Sequence, residues 1–92
     1  MKYITTWAAF PGATKECVEK FLAGEAAPQE GVTLLGRWHK VDCSGGFSLY
    51  ETDNPVLLYK GASRWADLME LTTIPVIEDA EAGPILAGLY AD

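Results

Sequence analysis

Apolar residues recur along this chain in two alternating spacings, one of the extended chain and one of the helix. Residues 2–10, KYITTWAAF, combine Tyr, Ile, Thr and Trp, side chains that suit a pleated surface, and Pro11-Gly12 ends the run. Over 14–23, TKECVEKFLA, the apolar Cys17, Val18, Phe21 and Leu22 fall on one helical face. Lys15–Glu19 and Glu16–Lys20 are opposite charges four apart on the other. Thr14 is placed to cap this helix and Gly24 to stop it. A loop over 25–31, with Pro28 and Gly31, leads to a second strand at 32–41. Asp42–Gly45 supply turn chemistry, and 46–52 return as a third strand in a hairpin. Asn54-Pro55 reads as a cap followed by proline in the first helical turn. That helix runs to about Met69, with Leu58, Ala62, Trp65 and Met69 as its inward stripe. Residues 71–77, LTTIPVI, form a fourth strand, and Pro75 argues for an edge position or a bulge. From Asp79 the tail places Ile85, Leu86, Leu89 and Tyr90 at helical spacing, with Pro84 limiting the regularity of its first turns.

The order β-α-β-β-α-β plus a short C-terminal helix is the split-βαβ, ferredoxin-like pattern of an α+β fold, with both helices on one face of a four-stranded antiparallel sheet. Ninety-two residues suit one domain, 1–92. The face away from the helices should alternate apolar and polar, and these strands do not alternate cleanly. The first offers Ile4, Ala8 and Phe10 on one side and Tyr3, Trp7 and Ala9 on the other. The second sets Leu35, Arg37, His39 and Val41 against Val32, Leu34, Gly36 and Trp38. The fourth sets Leu71, Pro75 and Ile77 against Ile74 and Val76. A monomer built this way exposes an aromatic patch. Two copies packed sheet against sheet about a twofold axis remove it, so a homodimer is expected.

Composition narrows the partners. Hydrophobic residues make up 49% of the chain, as in a globular protein, and the net charge is −6. Acidity without a basic stripe repels phosphate backbones and argues against nucleic acid. No apolar run reaches the roughly 18 residues of a membrane span. The start, MKYITTWAAF, lacks the pattern of a signal peptide, so a cytoplasmic location is expected. There the two cysteines read as free thiols, Cys17 packed as a small hydrophobe and Cys43 in a turn.

The blocks MKYITTW, LLGRWH, GGFSLYETDNP, RWADLMEL and IPVIEDAEAG resemble, over nearly the whole chain, a family of small bacterial and phage-borne proteins known as domain of unknown function 3303. That family belongs to the dimeric α+β barrel superfamily. The resemblance implies a ferredoxin-like fold and a paired-sheet barrel, and it implies no activity. Relatives elsewhere in the superfamily include cofactor-independent monooxygenases, isomerases, haem-degrading enzymes and proteins without catalysis. Their catalytic motifs do not align with this chain, so none of their residues is carried over.

Chemistry concentrates at Arg37-Trp38-His39, and three readings stay open. Alternation puts Arg37 and His39 on one face. If that face lines a cavity, His39 acts as a base near neutral pH and Arg37 holds a carboxylate or enolate. Trp7, Tyr50 and Trp65 then bind a flat substrate. Alternatively His39 is a metal or haem ligand. One histidine and two distant cysteines fall short of the ligands zinc takes, so neither metal nor cofactor is expected. In the third reading Arg37 pairs with Glu51 across the hairpin and His39 is a partly exposed edge residue. The register Arg37–Glu51 with His39–Leu49, which puts Trp38 on one face with Tyr50, is slightly preferred over Arg37–Tyr50 with His39–Ser48. Gly45-Gly46 lacks the phosphate-loop pattern, and Glu78, Asp79 and Glu81 suit a helix start. The expected function is binding or transforming a small, partly aromatic organic molecule in a barrel cavity, by cofactor-free oxidation or isomerisation. The alternative is a non-catalytic dimerisation, interaction or regulatory module.

Overall fold

The computed structural model describes residues 1–90. In chain order the elements are β1 (Lys2–Ala9), α1 (Thr14–Leu22), β2 (Thr33–His39), β3 (Gly45–Glu51), α2 (Val56–Ser63), β4 (Met69–Val76) and α3 (Asp79–Gly88). The strands form one sheet in the order β2-β3-β1-β4, with every neighbouring pair antiparallel. This is the ferredoxin-like α+β arrangement read from the element order. β4 lies at an edge, where a proline such as Pro75 is tolerated.

The helix boundaries follow local chemistry. Gly24 adopts φ 85° just past α1. Its N–H donates to the Phe21 carbonyl at 3.0 Å and that of Glu25 to the Lys20 carbonyl at 3.3 Å, the paired bonds of a Schellman stop. The start differs from expectation: Ala13 is the cap residue, with no side-chain bond, and Thr14 is already helical. Of the two expected charge pairs, Lys15–Glu19 forms at 3.9 Å. Lys20 instead donates to the Arg64 carbonyl and lies over the Trp65 ring at 4.8 Å. At α2, Asn54 Oδ1 accepts from the Val56 N–H at 3.2 Å, so the asparagine cap holds. The helix stops at Ser63, well short of Met69. Arg64 and Trp65 N–H groups reach back only three residues, to Gly61 and Ala62, and this tightening unwinds the chain into a turn. Met69 therefore opens β4 rather than ending a helical stripe.

The hairpin register corrects both expected pairings. Arg37 stands opposite Ser48, Trp38 opposite Phe47 and His39 opposite Gly46, after a bulge between Leu34 and Gly36. The bulge adds one residue to β2, so the alternation of the strand changes phase there. Glu51 is left to Lys2, at 3.8 Å. Trp38 and Tyr50 consequently occupy opposite faces.

Alternation then sorts the sheet. Thr5, Trp7, Arg37, His39, Ser48, Tyr50 and Leu71 point toward α1 and α2. Ile4, Thr6, Trp38, Phe47, Leu49 and Ile74 point the other way, away from α1 and α2, and Trp38 is 50% exposed. Apolar side chains do not fill the helix-covered side: the buried ones are Cys17 and Met69, beside buried Thr5, Ser48 and Thr52. α3 adds nothing to this layer. Ile85, Leu86, Leu89 and Tyr90 are all exposed. The molecule extends 56 × 30 × 19 Å with a radius of gyration of 15.9 Å, against roughly 12 Å for a compact chain of this length.

Two local devices hold the frame. Thr52 Oγ1 donates to the Gly31 carbonyl at 2.8 Å and accepts from the Asn54 N–H at 3.1 Å. Its backbone N–H donates to the Met1 carbonyl at 3.1 Å. One buried threonine thus joins the first residue, the approach to β2 and the start of α2. Glycine serves the second device. A Cβ on Gly36 would meet the Trp38 ring at 2.4 Å, and one on Gly46 would meet the Trp38 carbonyl oxygen at 2.1 Å and the Trp7 ring at 2.7 Å. Each indole lies flat over a glycine, on opposite faces of the sheet.

Candidate functional site

Where a two-layer domain normally has its core, this one has a half-enclosed cavity of about 400 Å³ between the helices and the sheet. Protein interiors close such spaces unless something is meant to enter them. Trp7, Arg37, His39, Tyr50 and Trp65, scattered through the sequence, all line it. The floor is the sheet, where Thr5 and Thr73 hydroxyls meet at 2.7 Å and Ser48 is only 1% exposed. Phe21, Val18 and Cys17 of α1 and Leu57, Leu58 and Ala62 of α2 form the roof.

Arg37 is held on three sides. Its Nε donates to Ser48 Oγ at 3.1 Å, and its Nη2 donates to the Ala26 carbonyl at 2.8 Å and to Tyr50 Oη at 3.2 Å. The Phe21 ring lies 5.9 Å from the guanidinium carbon. This replaces the expected pairing with Glu51 by neutral acceptors, and it ties the loop after α1 to the sheet. His39 sits edge-on between two rings, Trp7 at 5.5 Å and 79° and Phe21 at 5.3 Å and 74°. Among the described residues no hydrogen bond reaches its ring nitrogens. Opposite, on the bare face, Trp38 stacks on Phe47 at 5.1 Å and 26°.

Both cysteines are free. Cys43 is exposed in the β2–β3 turn and carries φ 65°. Cys17 donates to the Leu68 carbonyl at 3.7 Å. Burial first, and Glu16 second, push its thiol above the ordinary value, so the neutral form dominates at neutral pH and the sulfur is a poor nucleophile. Among the described residues no group of three or more His, Cys, Asp or Glu can hold a metal ion. No helix there is long and apolar enough to cross a membrane.

Sequence reasoning did not find Ser48, Gln29, Phe21 or the Ala26 carbonyl as parts of this wall. Ser48 had one signal: a small polar residue inside the apolar run FSLY, where burial demands a partner. Phe21 reads from its spacing as core, and the loop residues carry no signal.

The arrangement defines a class, a small ferredoxin-like domain whose helix–sheet layer encloses a ligand-sized space. Comparison with known proteins narrows it: the chain belongs to the family described as Domain of unknown function (DUF3303), whose profile matches residues 1–90. Among solved structures, Rv0793 from Mycobacterium tuberculosis is similar to it, with TM-score 0.51 and 11% sequence identity over 86% of this chain and 96% of that one. At that identity the likeness concerns the fold alone. No curated protein matches the sequence.

Proposed function

We propose that this protein binds, and by proton transfer transforms, a small and partly aromatic organic molecule in the cavity between its helices and sheet. The single observation that carries this is the unfilled helix–sheet layer, about 400 Å³ lined by Trp7, Arg37, His39, Tyr50 and Trp65. Apolar rings with a few fixed polar groups are the usual makeup of such sites. His39 presents an imidazole whose nitrogens hold no hydrogen bond among the described residues and so are open to pass a proton, while Arg37 and Tyr50 stabilise an oxyanion or enolate. Isomerisation is the chemistry this wall suits by proton transfer alone, and cofactor-free oxidation follows where dioxygen takes the electrons of the deprotonated substrate. The test is His39→Ala. It should melt within about 2 °C of the parent, because His39 holds no hydrogen bond and is exposed, yet lose turnover of ligands recovered from the native host. A large drop in melting temperature with no ligand ever recovered would sink the proposal.

A second reading concerns assembly, and the bare sheet face supports it. The chain exposes 6565 Å², roughly 1,300 Å² more than the 5,200 Å² or so of a compact monomer of its mass. The cavity wall, α3 and the face bearing Trp38, Phe47 and Ile74 share that surplus. A second copy of this chain, in this reading, packs sheet against sheet about a twofold axis and covers that face. In this reading the face serves a dimerisation or regulatory module whether or not catalysis occurs. A monomeric mass by light scattering at micromolar concentration would exclude it.

A further inference from the structure

We infer that the cavity's ligand is an anion, a planar aromatic molecule carrying a carboxylate or similar oxyanion, and that Arg37 Nη1 receives its charge. This rests on the ligand-binding reading above and names the ligand's chemical class.

A guanidinium has five N–H donors. Three serve the protein, through Nε to Ser48 and Nη2 to Ala26 and Tyr50. The two on Nη1 have no acceptor among the described residues. The one buried side-chain nitrogen or oxygen there without a partner is Gln29 Nε2, so Arg37 Nη1 keeps access to solvent from the cavity wall. Among the described residues no carboxylate pairs with Arg37, whereas Lys2 has two within 4 Å and Lys15 has one. A half-buried cation held only by neutral oxygens has lost water without gaining a counter-charge, and a ligand anion supplies it.

The wall's charge agrees. Arg37, Lys40 and Arg64 line the cavity against one carboxylate, Glu25, in a chain of net charge −6. The cavity therefore reverses the sign of the molecule around it, which concentrates anions there. Gln29 also lines the space, but its Nε2 is buried against Gly61, where a Cβ would come within 3.3 Å of it, so Arg37 Nη1 is the donor that faces the anion. Because Nε and Nη2 are taken, the anion meets Arg37 through one nitrogen and not in the two-pronged fork. The aromatic part of the ligand lies among Trp7, Phe21 and Trp65.

The probes are 2-naphthoate and 2-naphthamide, equal in outline and different in charge, titrated calorimetrically into the full chain. Naphthoate should bind at least about tenfold more tightly. Arg37→Gln should reduce the preference to within about twofold and leave naphthamide nearly unchanged, with Arg37→Lys retaining part of it. If Arg37→Gln fails to fold, salt reads the same interaction in the parent protein: raising NaCl from about 50 to about 500 mM should weaken naphthoate alone. Equal affinity for both probes overturns the anionic ligand and leaves the cavity reading standing. Binding of neither overturns both. A preference that persists in a folded Arg37→Gln overturns the assignment to Arg37.

Discussion

The two faces of this sheet depart from the usual division of labour in a two-layer domain. The face under α1 and α2 sets hydroxyls, a guanidinium and an imidazole among Trp7, Met69 and Leu71, and it is hollow. The opposite face carries Trp38, Phe47, Leu49 and Ile74, and its aromatic residues are exposed. Ordinarily the covered side is apolar and the open side polar. Stability therefore has to come from elsewhere than helix-on-sheet packing: from the strand ladders, from Thr52, from the Trp–Gly contacts and from whatever covers the bare face. The lesson is that a helix laid over a sheet need not mark a hydrophobic core. It can roof a cavity instead.

Substitutions on each side test that contrast. The largest effect is expected at Trp38→Glu on the bare face. In the proposed twofold dimer this change would bury two unpaired carboxylates, so dissociation should strengthen by about 100-fold or more in sedimentation equilibrium, while the isolated protomer keeps its circular dichroism. Next is Gly46→Ala, where the two faces share one backbone position. The added methyl meets a carbonyl oxygen and an indole, and urea unfolding should register a loss of about 3 kcal/mol. Ser48→Val on the covered face removes the acceptor of Arg37 Nε and leaves that donor unpartnered, at a cost of about 1–3 kcal/mol. The same denaturant midpoint reads it, and a neutral result would mean that Arg37 is not held as described. The smallest change is Cys43→Gly in the turn, which belongs to neither face. Relieving a positive φ at a non-glycine residue should raise stability by about 0.5–1 kcal/mol. A loss there would show that the turn, too, bears on the sheet.

The sequence is most legible where a residue type has few alternative uses. Pro75 points to an edge, Gly24 to a helix stop and Asn54 to a cap, and each appears there in the structure. The apolar residues beyond the helix-covered face are visible too, because strand alternation cannot hide both sides at once. The bulge at Leu34–Gly36 is invisible, since any register of three such small or apolar residues looks equally good. The charge cue at Glu51 misleads because Lys2, on the neighbouring strand, competes for it. Met69 lies at helical spacing from Trp65 by coincidence, since residues 64–68 form the turn that separates α2 from β4. Of the site, Trp7, Arg37, His39, Tyr50 and Trp65 stand out as chemically expressive residues, and the structure gathers them around one space. That the space is empty cannot be read from any of them, because a void is a property of the distance between layers and not of a residue.

The indoles resting on glycines have a consequence for how this chain can change over time. A side chain at position 36 would have to push the Trp38 ring aside, and with it the stack on Phe47, whereas position 46 answers to Trp7 on one side and to the backbone of Trp38 on the other. Gly36 and Trp38 are therefore expected to change together, and Gly46 to change least, because a ring can swing away and a main-chain carbonyl within a sheet cannot.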